Sequence, residues 1–185
     1  MNSKMNFYEP IAYFTSRLMY SLNKYATTNN KYLTKEKELH RGVKLCYSNL
    51  LPYERAKGKI ILLSAFTSTS EDEKIAKRWA GRKDTLSLYK TNLKFSVVFR
   101  IKNLNKEGWI SNGIDIHKEA RFKKEKEILY QPFSFYYVRD VQIDLNNYTA
   151  DIYLDTIGKK EILEEQIKIG KEIEYNKKEG IMQVK

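Results

Sequence analysis

An arginine–glycine pair (Arg41-Gly42), a serine-rich pentapeptide (Phe66-Thr67-Ser68-Thr69-Ser70) and a split pair of carboxylates (Glu125-Lys126-Glu127) follow one another in that order along a chain of 185 residues. Each group has a chemistry that suits a phosphorylated glycoside. A guanidinium presents a planar fork of donors that matches two phosphate oxygens, and Gly42 beside it would let a flat ligand approach the backbone. On a strand, Glu125 and Glu127 would point to one face, where two like charges repel and one is available as a proton acceptor. Ser68 has no structural duty of its own, so its hydroxyl is free to orient a neighbouring carboxylate. The ordered trio suggests a site that grips a dinucleotide and breaks a glycosidic bond.

Each piece also has a plainer reading. Residues Lys123 to Glu127 could be a solvated charge run, although Ile128-Leu129-Tyr130-Gln131-Pro132-Phe133 makes Glu127 the last polar residue before an apolar strand. Arg41, flanked by Leu39, Val43 and Leu45, could pair with an internal carboxylate. Ser70 with Glu73 three residues on reads as a capping box, reinforced by Glu71 and Asp72. A Ser-His-Asp hydrolase is disfavoured, because the histidines are His40 and His117 and neither lies in a nucleophile-type motif. Metal ligands at workable spacing are lacking as well, and no metal is expected.

The elements that would position these groups can be read from periodicity. Ile11, Phe14, Leu18, Leu22 and Tyr25 recur at helical spacing. Lys37 to Cys46 reads as a strand carrying Arg41, and Pro52 and Gly58 bracket a loop or helical turn. Lys59 to Ser64 is β-rich and leads into the pentapeptide. A helix follows from Ser70, with Ala76, Trp79 and Ala80 as its inner face. Strands are expected at Phe95–Ile101, Glu127–Tyr130, Phe135–Ile143 and Tyr148–Ile157, where β-branched and aromatic residues dominate. Helices first and mainly strands afterwards indicate an α+β domain over residues 1–158, followed by a charged, helical tail over 159–185.

With 42% hydrophobic and 31% charged residues and only 3 prolines, the composition is that of a folded domain. No apolar run approaches membrane-spanning length, so no membrane partner is expected. The lone Cys46 fits a reduced, intracellular setting and can form no intrachain disulfide. A net charge of +11 suits an anionic ligand, but acids are scattered among the lysines without a positive stripe, which disfavours dedicated nucleic-acid binding. A monomer is expected.

The stretches Leu39-His40-Arg41-Gly42-Val43, Phe66 to Ser70 with its following helix, and Glu125 to Phe133 resemble the arginine-serine-glutamate class of mono-ADP-ribosyltransferases. The likeness spans Leu39 to Ile157. It implies two roughly perpendicular β-sheets around an NAD cleft, with N-terminal helices. It implies that Arg41 binds the NAD phosphates, that Gly42 meets the nicotinamide through its backbone, and that Ser68 orients Glu127, with Thr69 and Ser70 shaping the same wall. Glu127 would be the catalytic carboxylate. Glu125 is the acid associated with arginine acceptors, and the segment from His117 to Lys124, with Phe122 as its aromatic, matches a substrate-recognition loop. His40 departs from the pattern, standing where an aromatic residue commonly precedes the arginine.

The resemblance therefore implies an NAD-dependent protein-arginine mono-ADP-ribosyltransferase, with NAD as co-substrate, no metal, and an acceptor protein bearing an accessible arginine. Because a basic protein repels arginine-rich targets, an acidic acceptor is expected. An NAD glycohydrolase is the enzymatic alternative, and a non-catalytic NAD- or nucleic-acid-binding module the non-enzymatic one.

Overall fold

A computed structural model describes residues 8–33, 36–81, 94–104 and 113–157 of the chain. The expected C-terminal helix lies outside these residues. Helix α1 (Tyr8–Thr28) opens the chain and strand β1 (Lys37–Cys46) follows, so one helix precedes β1 among the described residues. Next come α2 (Tyr47–Arg55), β2 (Ile60–Leu63), β3 (Thr67–Ser70) and α3 (Glu73–Trp79). The second half is mainly strand: β4 (Lys94–Asn103), β5 (Gly113–Asp115), β6 (Glu127–Tyr130), β7 (Ser134–Asp144) and β8 (Thr149–Thr156). A 3₁₀ turn, Lys123–Glu125, comes just before β6. Pro52 sits inside α2, the helical one of the two alternatives its sequence allowed.

The strands form one α+β mixed sheet in the order β2-β7-β8-β4-β1-β3-β6-β5. All pairings are antiparallel except β4 with β8. The β1–β4 ladder runs the full length of both strands, from Lys37↔Asn103 to Cys46↔Lys94. By contrast, β1 meets β3 at the single pair His40↔Ser70. That seam places the end of β3 beside the middle of β1, next to Arg41.

Strand alternation decides what each face does. Leu39 is fully buried, and Val43 and Leu45 pack against the same core as Phe99, Ile101, Tyr136 and Ile152. His40 and Gly42 point to the other face, where Gly42 lies under Ala76 and Ala80 of α3. Helix α1 holds its expected inner stripe only in part. Its C-terminal half packs inward through Leu18, Leu22, Tyr25 and the buried Ala26, whereas Ile11 and Phe14 are exposed. The polar cluster of Asn23, Tyr32 and Gln131 fastens that half: Tyr32 Oη and Gln131 Nε2 each donate to Asn23 Oδ1 at 2.6 Å. Among the described residues, no helix is long and apolar enough to cross a membrane.

Candidate active site

Strands β3 and β6 bring the serine motif to the glutamate. Their antiparallel register sets Ser70 opposite Glu127 and Ser68 opposite Leu129, so Ser68, Ser70 and Glu127 share one face. Ser68 Oγ donates to Glu127 Oε1 at 2.5 Å. The alternate residues face the core: Thr67 and Thr69 are buried, and Thr69 Oγ1 donates to the Ile128 carbonyl at 2.7 Å. The Thr69 hydroxyl is therefore committed to the sheet.

Arg41 reaches the same place from β1. Its Nη1 donates to the Ser68 carbonyl at 3.1 Å. Among the described residues no carboxylate pairs with it, so the internal salt bridge allowed by sequence is not what holds it. Burial pushes the guanidinium pKa down from its ordinary value, opposed by the nearby Tyr136 and Tyr53. A desolvated guanidinium with one neutral acceptor is under-satisfied, and an anion in the adjoining cleft would complete it.

That cleft has a volume of about 240 Å³ and is walled by Arg41, Gly42, Ser68, Glu125 and Glu127, with Trp79 on the helix side. Thr69 and Ser70 line it as well, so the groups read from sequence converge, with one exception. Phe122 does not line it and is 58% exposed on the loop before Glu125.

Three local expectations need correction. Glu125 does not share a strand with Glu127. It ends the 3₁₀ turn, and Lys126 at φ 46° reverses the chain before β6 begins. Ser70 is not the helix cap. Asp72 is, its carboxylate accepting from the Lys74 amide at 2.9 Å. Ser70 Oγ instead donates to the Glu125 carbonyl at 2.5 Å and accepts from the Asp72 amide at 3.0 Å, which ties the glutamate turn to the serine strand. Gly42 lines the cleft and also lets the helix approach, because an added Cβ would fall 1.7 Å from the Ala76 carbonyl oxygen. Trp79, expected on the inner face of its helix, is 59% exposed at the cleft.

The loop from His117 to Lys124 is anchored at its start. The Ile116 amide donates to the Glu127 carbonyl at 3.1 Å, His117 Nδ1 lies 2.5 Å from Asp115 Oδ1, and Tyr25 of α1 donates to Glu119 at 3.2 Å. At its end, Arg78 of α3 approaches the Glu125 carboxylate at 3.5 Å. His40, the departure beside Arg41, is buried, with Nε2 3.0 Å from Glu38 and, among the described residues, no hydrogen-bond partner for Nδ1. Among the described residues no group of acids, histidines or cysteine could hold a metal ion.

Helix α3, which forms one wall, is clamped electrostatically. Glu73 accepts from Lys77 and from Arg100, and Arg100 also pairs with Asp151 at 3.0 Å. The hydrogen bond from Lys77, opposed by desolvation and aided by Arg100, lowers the Glu73 pKa to about 2. A carboxyl depressed in the folded state stabilises above its unfolded pKa of about 4.3 and loses that contribution as pH falls through the folded value. Glu73→Gln is therefore expected to be less stable than the parent at pH 7, with the difference shrinking between about pH 4.5 and pH 2. Urea unfolding across that range checks this; a difference independent of pH would contradict it.

No protein-family profile and no curated protein matches this sequence. Solved structures do match. The Vis toxin, an ADP-ribosyltransferase from Vibrio splendidus, aligns with a TM-score of 0.55 at 20% identity, over 85% of this chain and 64% of its own. Its complex with agmatine aligns at 0.58 and 19% identity, over 86% and 65%. The ADP-ribosyltransferase HopU1 of Pseudomonas syringae pv. tomato aligns at 0.50 and 16%, over 68% and 47%. The chain thus spans less than two thirds of the length of these structures. At such identities the likeness concerns the fold, and the fold of this chain is that of the ADP-ribosyltransferases.

Proposed function

We propose that the chain is an NAD-dependent mono-ADP-ribosyltransferase that modifies arginine on an acceptor protein. The carrying observation is the convergence of Arg41, Ser68, Glu125 and Glu127 on one cleft, with Ser68 bonded to Glu127. On this reading the catalytic unit lies within residues 1–158. On the same reading two roughly perpendicular halves of the sheet would flank NAD; the single-pair seam at His40↔Ser70 is compatible with such a division.

The chemistry suits these groups. Arg41 neutralises the diphosphate. The bond from ribose C1′ to the nicotinamide nitrogen breaks with its electron pair leaving on nicotinamide, which departs as a neutral ring and needs no acid. The Glu127 carboxylate, held by Ser68, stabilises the positive charge that develops on the ribose. An acceptor guanidinium nitrogen then bonds to C1′ and gives its proton to Glu125. The Trp79 indole, exposed on the helix wall, offers a stacking surface for an aromatic ring. The arginine assignment draws on Glu125 and on the matching Vis structure in complex with agmatine, a guanidinium compound.

Glu125→Gln provides the test. Modification of an arginine acceptor should fall about 100-fold, in the range for losing a general base, while nicotinamide release without acceptor stays measurable. Label transfer to polyarginine is measured beside free ADP-ribose. Full transfer by the variant would remove the acceptor role of Glu125, and ADP-ribose alone from the parent protein would make the enzyme an NAD glycohydrolase.

A further inference from the structure

The mouth of the cleft has an unusual charge pattern. Glu125 and Glu127 open into the cleft, yet Glu125 is surrounded by cations: Arg121, Lys123, Lys124 and Lys126 flank it in the chain, and Arg78 approaches from α3. Arg121, Lys123, Lys124 and Lys126 are all exposed, while the Glu125 side chain is 22% exposed. Among the described residues none of those four cations pairs with a carboxylate; Arg121 instead lies over the Phe122 ring at 5.5 Å. The arrangement is fixed by the backbone. The turn carbonyl of Glu125 is held by Ser70 and its amide donates to the Phe122 carbonyl at 2.9 Å. A negative point inside a positive rim is the complement of a positive point inside a negative field.

We infer that this rim selects the acceptor: an acidic protein segment carrying one arginine, whose guanidinium enters toward Glu125 while its flanking carboxylates meet Arg121, Lys123, Lys124 and Lys126. The inference rests on the transferase reading above and adds the class of acceptor. A polyanion without a cation, such as a nucleic acid, matches the rim but is repelled by the carboxylates at its centre. An arginine-rich peptide has the opposite fault. The exposed Phe122 adds an apolar ledge next to the entering side chain. Since each exposed pair is weak alone, the selectivity comes from several acting together and is erased by salt.

The experiment uses the full chain with NAD and three peptides, each carrying one arginine flanked on both sides by glutamates, alanines or lysines. At low ionic strength kcat/KM should be about tenfold higher for the glutamate-flanked peptide than for the alanine-flanked one, and lowest with lysines. In 1 M salt, where the screening length is about 3 Å, the three should converge. The Lys123→Glu/Lys124→Glu double variant should reverse the order of preference. A flat ranking alongside normal nicotinamide release overturns the acceptor class and leaves the transferase reading intact. Absence of nicotinamide release overturns both. Labelling of a single-stranded oligonucleotide in preference to every peptide would also overturn the inference.

Discussion

Replacing Glu127 by glutamine should lower nicotinamide release by roughly 10²- to 10³-fold, the loss typical of removing one electrostatic partner of a transition state. Glutamine keeps the shape and can still accept from Ser68, so the change removes charge and little else. Because that charge acts on positive character absent from ground-state NAD, kcat should carry the loss and KM for NAD should move little. Ser68→Ala tests the support of the same group. It deletes a 2.5 Å hydrogen bond to the carboxylate, worth about 1.5–3 kcal/mol for a charged acceptor, or about ten- to a hundredfold in rate. Since Ser68 acts through Glu127, the double variant should be no slower than Glu127→Gln alone. Steady-state assay of free nicotinamide for the parent, the two single variants and the double variant completes the cycle. Additive losses would separate the two residues, and unchanged release by Glu127→Gln would remove this carboxylate from the chemistry.

Much of this site could be read from local pattern because its strands are strongly patterned. Strand β1 alternates around a buried Leu39, and the apolar run Ile128 to Tyr130 marks β6 with Glu127 at its first position. What the pattern could not carry was pairing between distant segments and the backbone demands that pairing creates. Ser70 and Asp72 are both good caps. Asp72 takes the role because Ser70 is drawn into the sheet between His40 and Glu127, where its hydroxyl meets the Glu125 carbonyl. Nothing in Lys126 announces a left-handed residue, a conformation that usually calls for glycine or asparagine, so Glu125 and Glu127 look like strand neighbours until the turn is seen. Helical periodicity placed Trp79 inward with Ala76 and Ala80. The helix lies so close to β1 that only the alanines fit, and the indole is displaced to the cleft.

That close approach carries the largest structural effect expected from a single methyl group. At Gly42 a Cβ would fall 1.7 Å from the Ala76 oxygen and 2.7 Å from both the Ala76 carbonyl carbon and the Ala80 nitrogen. All three are backbone atoms, so no rotamer change can make room. Helix α3 would have to lift away from β1, yet its N-terminal end is held by the Glu73–Arg100 pair and its C-terminal end by Ser96 Oγ, which donates to the Ala80 carbonyl at 2.6 Å. Overpacking a core typically costs about 1–3 kcal/mol, and Gly42→Ala should lie at or above the top of that range. At 2–4 °C per kcal/mol for a chain of this size, Tm should fall by about 6–12 °C. Trimming Ala76 or Ala80 to glycine should not rescue it, because the clash is with their backbones. NAD turnover should fall too, as the lifted helix carries one wall of the cleft away from Arg41. Thermal unfolding and nicotinamide release, measured on Gly42→Ala with and without Ala76→Gly, decide the matter. A Tm within about 2 °C of the parent would mean that α3 does not rest on β1 as closely as this geometry requires.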